Sequence, residues 1–259
     1  MENKTKHFPF HLKRIYLPII LKHPISIFKC STIYPRTMMK SVYKHVIFDL
    51  DGTISDSRQG IYNAYHYAAD KLGIQLPPGD NMASLIGPPL QQGFREVFGL
   101  SEGDIGKAVE VFREYYGQKG LFENTLYEGI EPLLSALAHA NAKLYVATAK
   151  YQLFADRVLN YFNIFSYFQD VAGADYEGIH AGKTNLVAGI LMRNGITDPS
   201  DVVVVGDTRF DIMAAAALEI DSVGVSYGFS SMEEIEKMNP DYIAADVAAL
   251  KQILLVEAT

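Results

Sequence analysis

The sequence predicts an α/β protein, a doubly wound parallel sheet with an all-helical segment inserted near its start. Three observations predict it. Short apolar runs rich in β-formers alternate with amphipathic stretches of helical length, as in Val46-Ile47-Phe48, Leu144-Tyr145-Val146-Ala147, Val202 to Val205 and Ser222-Val223-Gly224-Val225. Such alternation builds a parallel sheet covered by helices on both faces. Between residues 74 and 128 the alternation stops, leaving helical patterns (Ala108, Val111, Phe112, Tyr115) and a Pro/Gly-bearing stretch, Ile86-Gly87-Pro88-Pro89, but no persuasive strand.

Taken in order, Val46-Ile47-Phe48 is a buried strand that ends in Asp49-Leu50-Asp51-Gly52-Thr53, placing acids at a sheet rim. From Arg58 a helix presents Ile61, Ala64, Tyr65, Ala68 and Leu72 on one face and stops at Gly73, where a C-terminal glycine belongs. After the insert, Tyr127-Glu128-Gly129 leads into a helix over 130–141 and the strand over 144–147. The unit recurs as helix 183–194, strand 202–205, helix 209–218, strand 222–225, helix 231–238, strand 242–243 and a closing helix 247–256. The sheet is therefore Rossmann-like, with ligands expected beyond the strand C-termini.

Composition narrows the function. Of the 259 residues, 49% are hydrophobic and 20% charged, the balance of a globular protein. No apolar run reaches the ~18 residues that a membrane-spanning helix needs. The lone cysteine, Cys30, rules out an intrachain disulfide and makes a reducing, cytoplasmic setting the expectation. Residues 1–40 hold eight Lys/Arg and one acid, Glu2, leaving 15 basic against 29 acidic residues beyond them. So acidic a body argues against nucleic-acid binding. An anionic substrate would have to be drawn in by local cations or a metal.

The basic segment 1–40 contains Ile15 to Leu21, interrupted by Pro18. It has no convincing small-residue cleavage site of a secretory signal, and an organelle presequence, whose charge it fits, predicts more Arg and Ser. Regular alternation begins at Lys44, just after Met38-Met39. The preferred reading is a start at one of these methionines, with any residues before it poorly ordered.

Four segments fall at strand ends or helix starts: Asp49-Leu50-Asp51-Gly52-Thr53, Thr148-Ala149-Lys150, Lys183, and Gly206-Asp207-Thr208-Arg209-Phe210-Asp211. Together they bring acids, a hydroxyl and a cation to one rim. Their order resembles the haloacid dehalogenase superfamily of phosphohydrolases, over residues 44 to 256. The resemblance implies a core of residues 41–59 and 129–259 with a helical cap over 60–128. Ile86-Gly87-Pro88 and Tyr127-Glu128-Gly129 look most like phosphoglycolate phosphatases and nearby nucleotidase-like enzymes; a sugar phosphomutase, which uses the same four motifs, and a non-catalytic phosphometabolite-binding module are the alternatives.

On that resemblance Asp49 is the nucleophile, and Asp51, two positions along and on the same side of an extended strand, is the general acid and base. Crowding by other carboxylates would keep a proton on Asp51. Asp49 and Asp207 offer the hard oxygens that suit Mg²⁺, with the Asp51 carbonyl and Asp211 completing the metal site. Lys183 would hold the phosphate together with Asp49, assisted by the Thr148 hydroxyl and backbone around Gly52, Thr53 and Ala149. Lys150 is the rival cation, set second because Lys183 opens a helix after a Gly-rich loop. The implied partner is a small phosphorylated metabolite, with no nucleic acid and no membrane; the oligomeric state is open. The insert's aromatics (Phe94, Phe98, Phe112, Tyr115, Tyr116, Phe122) read mainly as cap core, and Arg95 and Lys119 as cations either for a second anion or for a solvated face.

Overall fold

The computed structural model describes residues 39–76, 85–86, 88–177 and 182–257. The expectations for residues 1–38, Gly87 and the Gly178–Ala181 part of the loop before Lys183 lie outside the described residues. In chain order the strands are β1 (Met39–Ser41), β2 (His45–Phe48), β3 (Ser55–Asp56), β4 (Thr125–Leu126), β5 (Lys143–Tyr151), β6 (Phe168–Ala174), β7 (Val202–Gly206), β8 (Asp221–Val225), β9 (Tyr242–Ala244) and β10 (Leu255–Glu257). The helices are α1 (Arg58–Leu72), α2 (Leu90–Glu96), α3 (Glu102–Gln118), α4 (Ile130–His139), α5 (Gln152–Tyr161), α6 (Lys183–Arg193), α7 (Arg209–Ala217), α8 (Met232–Met238) and α9 (Val247–Leu254).

Six strands form one sheet in the order β6-β5-β2-β7-β8-β9, every neighbouring pair parallel. Alternation along each strand sorts side chains onto two cores. Val46, Phe48, Leu144, Val146, Val203 and Val205 face one side, while Ile47, Tyr145, Ala147, Val202 and Val204 face the other. On the first side α4, α5 and α9 contribute Leu133, Leu137, Val158, Leu159, Leu250 and Leu254. On the second, α6 and α7 contribute Val187, Ile190, Ala214 and Ala215. Burial on both faces is what selects continuous β-branched runs such as Val202 to Val205. This is the doubly wound sheet that the sequence predicts.

From β2 the chain passes to β5 on one side and to β7 on the other, so the strand order reverses at β2. A crevice opens beyond the strand ends at such a point. Phe48 is in register with Val146 of β5 and Val205 of β7, and Asp49 N donates to Val205 O at 2.8 Å. The residues that follow each strand therefore share one rim.

The insert leaves the core through β3 and returns through β4, which pair antiparallel, and every regular element among its described residues between them is helical. The two-residue β4 lies inside the stretch read as strand-free, too short to carry a periodic signal. The sequence predicts no helix or strand between Lys150 and Gly182, where the structure has α5 and β6. The latter is an edge strand whose Gln169, Asp170 and Gly173 break the apolar pattern. β1 pairs with β10, so Met39 and Lys40 are strand residues although the core was expected to begin at 41. The closing helix stops at Leu254 and gives way to β10. The α1 limits match the reading, with Gly73 left-handed at φ 66°.

Near the insert's base α1 rests on the turn at Gly120, where a Cβ on Gly60 would lie 2.0 Å from the Gly120 carbonyl oxygen. Backbone cannot yield there as a side chain can. Gly60→Ala is expected to lower unfolding free energy by about 1–3 kcal/mol. Gly106→Ala, on α3 with open space around it, is expected to raise it by up to about 1 kcal/mol. Chemical denaturation of both variants checks the contrast, and equal effects would contradict this packing.

Candidate active site

Asp49 stands immediately beyond β2, Asp207 immediately beyond β7, and Asp211 in the first turn of α7. One carboxylate oxygen from each lies within 4.8 Å of the others, and all three residues are buried. Lys183, the first residue of α6, inserts its ammonium among them. Its Nζ is 2.7 Å from Asp49 Oδ1 and 2.8 Å from Asp211 Oδ1, and it donates to Ala147 O at 2.9 Å. Burial opposes that positive charge, but the Asp211 and Asp49 carboxylates outweigh it and hold the lysine in its ammonium form.

Space for this crowding comes from glycine. Gly52, at φ +90°, would place a Cβ 2.1 Å from Asp207 Oδ2, and Gly206 would place one 2.1 Å from Asp211 Cγ. Asp211 also caps α7, its Oδ2 accepting from Thr208 N at 3.2 Å and Thr208 Oγ1 at 2.7 Å. Asp207 accepts from Phe229 N at 2.8 Å and from Thr53 Oγ1 at 3.4 Å. One lysine is too little for three buried carboxylates. Burial first, then the neighbouring carboxylates, lift the Asp49 pKa to about 7 against the pull of Lys183, and lift Asp207 well above the usual range. A compact set of hard oxygens short of positive charge fits a divalent cation such as Mg²⁺, with Asp49 and Asp207 as ligands and Asp211 behind them.

A pocket opens over this rim. Its floor holds Asp49, Asp51, Thr148, Ala149, Lys150, Lys183 and Thr208, and its walls include Ile61, Tyr65, Leu85, Phe112, Tyr116 and Phe154. Thr148 is 1% exposed, its Oγ1 accepting from Lys150 N at 3.2 Å. Gly52 and Thr53 lie behind the carboxylates rather than on the floor: Gly52 N donates to Ser55 O at 2.8 Å and the Thr53 hydroxyl is turned to Asp207.

Asp51 meets a different neighbour from the one expected. It stands outside the carboxylate cluster, and its Oδ2 is 2.7 Å from Lys150 Nζ. Both cations that compete in the sequence are thus in the site, Lys150 on Asp51 and Lys183 between Asp49 and Asp211. Among the insert's aromatics, Phe94 packs on Tyr65 and Phe112, Phe98 packs on Tyr65, Tyr115 donates to Glu123 at 3.0 Å, and Phe122 is exposed. Phe112 and Tyr116 reach the pocket. Arg95 instead pairs with exposed Glu102 and Lys119 lies over Tyr115. Arg113 lines the pocket, its guanidinium donating to Tyr176 O at 2.6 Å and lying 4.2 Å from the Tyr176 ring centroid. Its signal was its place one turn before Tyr116 on a single helix face.

Residues 46–225 match the haloacid dehalogenase-like hydrolase family. A 5'-nucleotidase from Pseudomonas aeruginosa is 35% identical over 82% of this chain and 96% of its own length. The tyrosine-protein kinase PtkA from Mycobacterium tuberculosis is 36% identical over 81% of this chain and 72% of its own. A phosphoglycolate phosphatase from Vibrio parahaemolyticus is 31% identical over 85% of this chain and all of its own. Among solved structures, a predicted phosphatase from Clostridium acetobutylicum superimposes with a TM-score of 0.77 at 34% identity, covering 82% of this chain and 98% of that one. The chain belongs to the haloacid dehalogenase-like hydrolase family.

The carboxylate cluster should be visible in stability. An acid whose folded pKa is raised stabilises the fold only while protonated. For Asp49 that contribution is lost as pH climbs from its ordinary 3.8 to about 7. A bound cation relieves the same repulsion. At pH 7.5, Mg²⁺ at a hundred times its Kd is expected to raise Tm by about 5–10 °C over the EDTA-treated protein, with the gain shrinking toward pH 5. In Asp207→Asn the metal-free Tm rises and the Mg²⁺ response disappears; an unchanged response would contradict this metal site.

Proposed function

We propose that this member of the haloacid dehalogenase-like hydrolase family is a cytoplasmic, Mg²⁺-dependent phosphatase that hydrolyses a small phosphate monoester through an aspartyl-phosphate on Asp49. The observation that carries the reading is the placing of Asp49 on the pocket floor with Lys183 at 2.7 Å, because a buried anion can attack an anionic phosphate only where fixed cations balance the charge. When bound by Asp49 and Asp207, with Asp211 in support, Mg²⁺ supplies the rest of that balance.

In the first half-reaction the Asp49 carboxylate forms a bond to phosphorus as the P–O bond to the alcohol breaks, and Asp51 gives its proton to the departing oxygen. In the second, the Asp51 carboxylate takes a proton from water, whose oxygen bonds phosphorus and releases phosphate and free Asp49. Lys183 holds phosphate oxygens throughout. The Thr148 hydroxyl and the backbone at Ala149 receive charge that develops on them. The helical insert acts as a cap that closes over the rim, excludes water and selects the alcohol.

The floor recognises only phosphate, so the substrate is set by the walls. Phosphoglycolate is the leading substrate on the resemblance and on the names of relatives, with nucleoside 5'-monophosphates next. The relative named a tyrosine-protein kinase points to a second reading, in which the aspartyl-phosphate is passed to a hydroxyl acceptor instead of water. Phosphate release from phosphoglycolate, nucleoside monophosphates, sugar phosphates and a chromogenic ester, with Mg²⁺ or EDTA, separates them. Hydrolysis predicts Mg²⁺-dependent inorganic phosphate, and a loss of more than about a thousandfold in Asp49→Asn. A folded, Mg²⁺-loaded protein that releases no phosphate from any ester contradicts the reading.

A further inference from the structure

Lys150 has no part in the two half-reactions above, yet it is as enclosed as Lys183, each side chain being 6% exposed. It stands on β5 two residues beyond Thr148, and its Nζ lies 2.7 Å from Asp51 Oδ2. The same ammonium donates to Tyr116 Oη at 2.6 Å and sits 4.6 Å from the centroid of that ring. Burial opposes its charge, but Asp51 and Tyr116 outweigh burial and keep it cationic. A surface lysine has no such set of partners.

The two oxygens of Asp51 are left in unlike states. Oδ2 is held by Lys150, whereas Oδ1 is buried with no hydrogen-bond partner among the described residues. An unpartnered buried carboxylate oxygen calls for a reason, and Asp51 lines the pocket where an ester oxygen must leave. Tyr116 comes from α3 of the insert, not from the core. Its neighbours on the insert also reach across, Arg113 donating to Tyr176 O and Gln91 to Glu177 O, each at 2.6 Å.

We propose that Lys150 is a positioning residue: it clamps Asp51 Oδ2 so that Oδ1 faces the ester oxygen, and Tyr116 completes the clamp only when the insert is seated on the core. The inference rests on the phosphatase reading, in which Asp51 carries the proton. It gives the insert a task besides enclosure, since proton transfer demands a group held within hydrogen-bond reach of its target. An unseated insert withdraws the phenol from Lys150, and the clamp on Asp51 loosens.

Esters of differing leaving group test this. An alkoxide leaving an alkyl phosphate needs its oxygen protonated, whereas p-nitrophenolate leaves p-nitrophenyl phosphate unaided. Asp51→Asn sets the reference and should lose far more on the alkyl ester. Lys150→Met is expected to lower kcat/KM, which reports only the half-reaction that expels the alcohol, about 30- to 300-fold on the alkyl ester and less than about 5-fold on the aryl ester. Tyr116→Phe, which removes one oxygen and keeps the ring, is expected to show the same preference at about 5- to 20-fold. Combined with Asp51→Asn, Lys150→Met should add nothing. Equal losses on both esters, or full additivity with Asp51→Asn, would overturn the clamp while leaving the phosphatase reading intact. If Asp51→Asn itself shows no leaving-group dependence in kcat/KM, Asp51 is not the proton carrier and both fall.

Discussion

Three carboxylates buried within 4.8 Å of one another repel, and much of the rim is arranged around that repulsion. Lys183 answers part of it by spanning Asp49 and Asp211. Asp211 divides its oxygens between that lysine and the cap of α7. Gly52 and Gly206 give up their side chains so that Asp207 and Asp211 can approach the backbone. The remaining deficit of positive charge leaves the cluster fitted to a cation and costly to hold without one. Sheet topology sets this up, since β2 and β7 run side by side and in the same direction, and their C-terminal acids must meet.

Much of this was legible in the sequence because it is written in short, local patterns. Val46-Ile47-Phe48 running into Asp49, and Val202 to Val205 running into Gly206-Asp207, declare buried strands with acids at their ends. The α1 stop at Gly73 is likewise local. What stayed hidden depends on pairing across the fold. Nothing near Lys150 in the chain announces that Asp51 and a tyrosine 34 residues earlier will surround it. The same holds for Gly52 and Thr53, whose motif suggests phosphate contact but whose donors are turned to Ser55 and Asp207. β6, an edge strand with polar and glycine residues, and the paired ends β1 and β10 lack the apolar runs that mark the interior strands.

The insert contributes in two ways. Its own core, with Tyr65, Phe94 and Phe112 in edge contact, makes it a firm wall. Its inner face supplies Phe112, Arg113 and Tyr116 to the pocket. On the proposed reading, a floor that would hold phosphate lies beneath a wall that would read the alcohol, which would separate chemistry from selection. Relatives of like sequence bear the names of a nucleotidase, a phosphoglycolate phosphatase and a kinase.

The central claim is that phosphorus becomes bonded to Asp49, and borohydride trapping tests it most directly. Protein quenched during turnover with Mg²⁺ and substrate is reduced, digested and read by mass spectrometry. Borohydride converts an acyl phosphate to an alcohol, so the account predicts homoserine at position 49, absent when substrate or Mg²⁺ is withheld. Phosphate release with residue 49 remaining aspartate, or with the reduced residue elsewhere, would contradict it.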